Sequence, residues 1–77
     1  MKNIRIVTYR SVDSIGRVIA IVRRAKISLK NLYLVSEDSI YRIDLEVEGP
    51  VDEVRWLIDK LDKLPEVLKI EEININP

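Results

Sequence analysis

The sequence contains no cysteine, no histidine and no phenylalanine, and glutamine is also missing. Without cysteine there is no disulfide framework and no thiolate set for an iron–sulfur cluster. Without histidine or cysteine, the usual ligands of a zinc centre and the usual general base of a hydrolase are both absent. Glycine occurs twice and proline three times, so there is no glycine-rich phosphate loop. Charge of one sign is not in excess. Thirteen basic residues balance thirteen acidic ones, which leaves no basic stripe for a nucleic-acid backbone. No apolar run approaches the length of a membrane span, and the first residues lack the pattern of a secretory signal, so a cytoplasmic location is expected.

What remains is a 77-residue chain, one domain over residues 1–77, in which a third of the residues are charged and almost half are hydrophobic. The abundance of Ile, Val, Glu and Lys resembles the composition of thermophile proteins with ion-pair-rich surfaces. A chain this short buries a limited core, and with disulfides and metal ligands excluded, association is the remaining way to stabilise it.

The hydrophobic pattern changes period along the chain. Residues 3–9, NIRIVTY, alternate as a strand with Ile4, Ile6 and Thr8 on one face. Ile15, Val18, Ile19, Val22 and Ala25 recur at helical spacing and predict a helix over 13–26, capped by Asp13 or Ser14. Residues 27–35 predict a strand whose apolar phase slips between Leu29 and Leu32, which points to a bulge or a bend near Lys30-Asn31. SEDS, 36–39, is a polar hairpin connection. Residues 40–48 alternate, with Tyr41, Ile43, Leu45 and Val47 on one face and Arg42, Asp44 and Glu46 on the other. Gly49-Pro50 opens a second helix with a stripe of Val51, Val54, Leu57, Ile58 and Leu61, Pro65 ends it, and a last strand runs from about 67 to 75.

The order is β-α-β-β-α-β, and its halves repeat. Ile4, Ile15, Val18, Ile19 and Val22 match Ile43, Val54, Leu57, Ile58 and Leu61, each at an offset of 39 positions. Two interleaved right-handed βαβ units give an α+β, ferredoxin-like sandwich: a four-stranded antiparallel sheet with both helices on one face.

Candidate chemistry is sparse. The carboxylates Asp59, Asp62, Glu71 and Glu72 fall on solvent faces, and no nucleophile–base pair is present, so no catalytic residue, metal or cofactor is expected. RNA binding by such a sheet needs aromatics on its open face, where the third strand offers Arg42, Asp44 and Glu46 instead. Trp56 points away from its helix's apolar stripe on an ideal wheel. It is either a ring lying over neighbouring stems or an anchor for a protein partner.

The stretches SVDSIGRVIAIVRRAKISLKNL and IDKLDKLPEVLKIEEI resemble the ACT domain family, and within it the small regulatory subunits of acetolactate synthase. The resemblance implies a non-catalytic regulatory domain linked to branched-chain amino acid biosynthesis. It also implies a homodimer joined through second-strand edges into one eight-stranded sheet, an enzyme catalytic subunit as partner, and a small amino acid as ligand. By the same resemblance the ligand would lie between Arg10, Ser11, Val12, Asp13, Ser14 and Ile15 of one chain and Ser28 and Leu29 of the other. The match departs from the family at the first turn, where Val12-Asp13 replace Pro-Gly. A glycine there brings the backbone close to a ligand carboxylate, which the charge and Cβ of Asp13 oppose. The turn therefore has two readings, a ligand pocket or a plain helix cap. If the domain binds no small molecule, it is an adaptor working through Trp56 or the sheet edge.

Overall fold

The computed structural model describes residues 1–73. Its elements are β1 (Lys2–Tyr9), α1 (Val12–Arg24), β2 (Ser28–Glu37), β3 (Ile40–Glu48), α2 (Val51–Asp62) and β4 (Val67–Ile73). The expected end of the last strand, residues 74 and 75, lies outside the described residues. All strand pairs are antiparallel, in the order β2-β3-β1-β4, so β1 and β3 are central and β2 and β4 form the edges. This is the ferredoxin-like sandwich expected from the repeat.

The alternating strands bury one face each. Ile4 and Ile6 of β1 and Ile43, Leu45 and Val47 of β3 are almost fully buried, and Thr8 completes the β1 row with its hydroxyl donating to the Tyr9 carbonyl at 2.9 Å. Val18 and Val22 of α1 and Val54, Leu57 and Leu61 of α2 close over them. The phase slip in β2 is a register shift between Leu29 and Asn31, opposite Val47 and Glu46 of β3. One residue is added there, and Leu29, Leu32 and Leu34 thereby share the helix side of the sheet.

Three expectations about the helices require correction. The cap of α1 is Ser11, not Asp13 or Ser14, and the helix starts at Val12. The buried stripe of α1 is Ser14, Val18 and Val22, with Ile15 and Ile19 half-buried on its flank. Arg17 and Arg24 lie on the opposite flank, where Arg17 reaches Glu66 after α2 and Arg24 reaches Trp56 on α2. At 100° per residue this turns Ile15 and Ile19 away from α2, towards the β2 side of the molecule. In α2, Pro50 is the N-cap rather than the first helical residue, and Val51 is 68% exposed instead of joining the stripe. A side chain at the first position of a helix projects back past the helix start, where the rest of the helix does not cover it.

Gly49 links β3 to α2 at a close approach: a Cβ there would stand 2.8 Å from Cγ2 of Ile27. The open face of the sheet carries paired charges. Arg5 meets Asp44 through two hydrogen bonds of 2.9 and 3.2 Å, and Arg42 meets Glu37 at 3.0 Å. The hydrogen bond to Asp44 raises the Arg5 pKa above its ordinary value, against a smaller lowering by desolvation.

Candidate functional site

The first turn, residues 10–15, is tied into the fold on both sides. The Arg10 amide donates to the Ser39 carbonyl at 3.1 Å, and its guanidinium donates to the Asp38 carbonyl at 2.7 Å. Asp38 occupies the hairpin turn with φ of 36°, a left-handed conformation that Asp tolerates because its short side chain can hydrogen-bond locally. On the other side, the Tyr9 amide donates to the Glu66 carbonyl at 3.2 Å, and Arg17 forms an ion pair with Glu66 at 2.6 Å. The β1–α1 turn, the β2–β3 hairpin and the α2–β4 loop thus meet at one end of the sheet.

Within the turn, Ser11 is extended (φ −142°, ψ 139°) and its hydroxyl accepts from the Asp13 amide at 3.2 Å. The Ser14 amide donates to the Ser11 carbonyl at 3.0 Å. Two of the first three helical amides are therefore already engaged, which leaves little of the fan of free N–H groups that binds a carboxylate. Asp13 sits in the first helical turn, where its negative charge favours the helix dipole. Val12 is 77% exposed, whereas Ser14 is fully buried, and its hydroxyl finds no partner among the described residues. A shallow depression beside the turn is lined by Val12, Asp13, Gly16, Arg17 and Ala20, and none of Arg10, Ser11, Ser14 or Ile15 contributes to it.

Ser28 and Leu29 are not near this turn in the same chain. Ser28 pairs with Glu48 and Leu29 with Val47, while Val47 pairs with Lys2 at the start of β1. The turn follows Tyr9, at the other end of that strand. Eight residues of β1 at about 3.3 Å each separate the two ends by roughly 25 Å.

The second strand is the conspicuous surface. All ten residues of β2 are exposed, although five of them are Leu, Tyr or Val. Leu29, Leu32 and Leu34 stand 42%, 37% and 38% exposed on the helix side, because neither helix extends over this edge. Ile15 and Ile19 face the same side from α1. A long edge strand with an apolar row and no covering element is a template for another strand.

Trp56 is half-buried and packs against the core, which corrects its expected outward direction. Arg24 of α1 and Lys60 of α2 lie 5.6 and 5.9 Å from its ring centre. The ring fastens α2 to the end of α1 through its cation–π contact with Arg24. An ideal wheel misses this because it takes no account of the neighbouring helix.

Residues 10–70 match the ACT domain family. The chain belongs to that family. Its fold is similar to the ACT domain of a GTP pyrophosphokinase from Chlorobium tepidum, at 22% identity and a TM-score of 0.83, over 94% of this chain and 95% of the other. It is similar to the C-terminal domain of the MgtC protein of Mycobacterium tuberculosis, at 12% identity and a TM-score of 0.75, over 94% of this chain and 83% of that one. A homoserine dehydrogenase from Thiobacillus denitrificans matches at 19% identity and a TM-score of 0.75, over 94% of this chain but 16% of the enzyme. No curated protein matches the sequence. At these identities the likeness to solved structures is one of fold. The ACT domain is a regulatory module, and no helix among the described residues is long and apolar enough to cross a membrane.

Proposed function

We propose that this ACT domain is a regulatory module that pairs with a second copy through β2 and controls a metabolic enzyme by protein contact. The observation that carries this reading is the β2 edge: ten exposed residues, with Leu29, Leu32 and Leu34 uncovered on the helix side. Antiparallel pairing of two such edges makes one eight-stranded sheet and removes the open edge from both chains. The partner enzyme suggested by the segments SVDSIGRVIAIVRRAKISLKNL and IDKLDKLPEVLKIEEI is an acetolactate synthase catalytic subunit.

The same pairing supports a second reading, in which a small amino acid is sensed at the boundary. Antiparallel β2 strands set the Ser28 end of one against the Glu37 end of the other. The latter adjoins the first turn, because the Arg10 amide bonds to Ser39. Ser28 and Leu29 would then come to Arg10–Ile15 across the interface. Two engaged amides and the charge of Asp13 weigh against a carboxylate there, so protein contact is the leading reading.

Calorimetric titration of the dimer with valine, leucine, isoleucine and the other amino acids separates the two. The leading reading predicts no saturable binding at the first turn. Binding that shifts the amide resonances of residues 10–15 together with those of Ser28 and Leu29 would replace it with the sensing reading. Trp56 as a free anchor for an adaptor is less favoured, since the ring is already engaged by Arg24 and Lys60.

A further inference from the structure

A cavity of about 180 Å³ lies at the opposite end of the sheet from the first turn, between the start of α2 and the outer residues of β1 and β4. Its apolar wall is Val51, Val54 and Ile58 of α2, and its polar rim is Lys2, Arg55 and Glu72. The offset of 39 residues gives this place a meaning. It carries Val12 onto Val51, Ile15 onto Val54, Gly16 onto Arg55 and Ile19 onto Ile58. The cavity is thus the second half's counterpart of the first turn, with a cation where the first half has glycine. The helix start differs as well. Ser11 caps α1 through its hydroxyl, whereas Pro50 caps α2 with no side-chain hydrogen bond.

The charges of the rim do not cancel. Lys2 and Glu72 neutralise each other in an ion pair of 2.9 Å, and Arg55 pairs with no carboxylate among the described residues. Among the described residues that line the cavity, one positive charge is left beside an apolar wall. A planar guanidinium takes a carboxylate through two parallel hydrogen bonds, and the Val and Ile methyls take a short hydrocarbon chain. The volume equals about six liquid waters, room for a branched aliphatic acid of a few carbons. A free ammonium on the ligand would have to share with Lys2 the one carboxylate, Glu72, among the residues that line the cavity.

We infer that this cavity is a binding site for a short aliphatic monocarboxylate, held by Arg55 with its chain against Val51, Val54 and Ile58. All the residues named at this site belong to one copy of the chain, and the site does not depend on how β2 pairs.

The test is a titration of the isotopically labelled full chain with isovalerate, followed by amide chemical shifts, with 3-methylbutylamine, leucine and inorganic phosphate as comparators. Saturable shifts are expected at Val51, Val54, Arg55, Ile58 and Lys2 with isovalerate, and none with the amine. Arg55→Gln, an exposed position that leaves the core untouched, should weaken isovalerate about tenfold or more, the worth of a charge-assisted hydrogen-bond pair. Val51→Asp, also exposed, should weaken it through charge at the mouth while leaving the spectrum of the core unchanged. The inference is overturned by any of three results: no saturable shift, an unchanged affinity in Arg55→Gln, or leucine or phosphate binding more tightly than isovalerate. Shifts confined to residues 10–15 would also overturn it. Loss of the β2 dimer would leave this outcome unaltered.

Discussion

The two glycines of this chain give opposite predictions from one kind of substitution. At Gly49 an added Cβ meets Cγ2 of Ile27 at 2.8 Å, its Cβ at 3.2 Å and its Cα at 3.3 Å. Rotating the Ile27 side chain moves Cγ2 but neither of the other two atoms, so the backbone itself must give way. Overpacking of this kind costs about 1–3 kcal/mol. At Gly16, in the middle of α1 and facing solvent, an added Cβ meets nothing within 4 Å. Alanine there gains about 1 kcal/mol of helix propensity. An unfolding entropy of about 2.1 cal/mol/K per residue makes roughly 0.16 kcal/mol/K for the chain, so 1 kcal/mol moves Tm by about 6 °C. Gly49→Ala should therefore lower Tm by about 6–18 °C, and Gly16→Ala should raise it by about 6 °C. Circular-dichroism melts at one fixed protein concentration read both, since association makes Tm concentration-dependent. A Gly49→Ala protein melting at or above the parent would refute the tight β3–α2 corner against Ile27.

Further outcomes follow from the first turn. Ser11→Ala removes the α1 cap and should cost about 1 kcal/mol in chemical denaturation, with Ser11→Asp restoring most of it. Ser14→Ala removes a buried hydroxyl that has no partner among the described residues, and should stabilise the domain by about 1 kcal/mol; a loss of stability would reveal a hydrogen bond that this account lacks. Leu57→Ala, at a fully buried core position, should cost about 2–5 kcal/mol in the same assay. The Arg5 pKa is raised in the folded state, so the stability linked to it persists up to strongly alkaline pH and is lost only above the ordinary arginine range. Melting between about pH 6 and 9 should show no transition assignable to Arg5.

Strand chemistry made most of the fold legible in the sequence. The alternation from Tyr41 to Val47 states which side of β3 is buried, and an offset of 39 residues states that the two halves are copies. The slip between Leu29 and Leu32 pointed to a bulge or a bend, and the register shift between Leu29 and Asn31 makes it a bulge, since one added residue lets the strand change faces and still pair. Helix orientation was less legible. Ile15 and Ile19 have the right spacing for a core stripe, but the buried stripe runs through Val18 and Val22 to Ser14, whose polarity hides its burial. Val51 reads as core by type and is exposed by position, one residue past the Pro50 cap. The long separation of Ser28 from the first turn follows from strand direction, and the apolar row on β2 becomes conspicuous only once neither helix is seen to extend over it. The cavity beside Arg55 could have been found by carrying the 39-residue offset onto the first turn, since that step places a cation opposite Gly16.

Sedimentation equilibrium of the wild type beside a Leu32→Glu/Leu34→Glu variant asks whether the exposed β2 edge is the pairing surface, since antiparallel β2 strands would then set like charges against each other. A dimer of twice the 9.0 kDa chain is expected for the wild type and a folded monomer for the variant, whose substitutions fall on exposed positions. A wild-type monomer at high micromolar concentration, or a variant that remains fully dimeric, would contradict it.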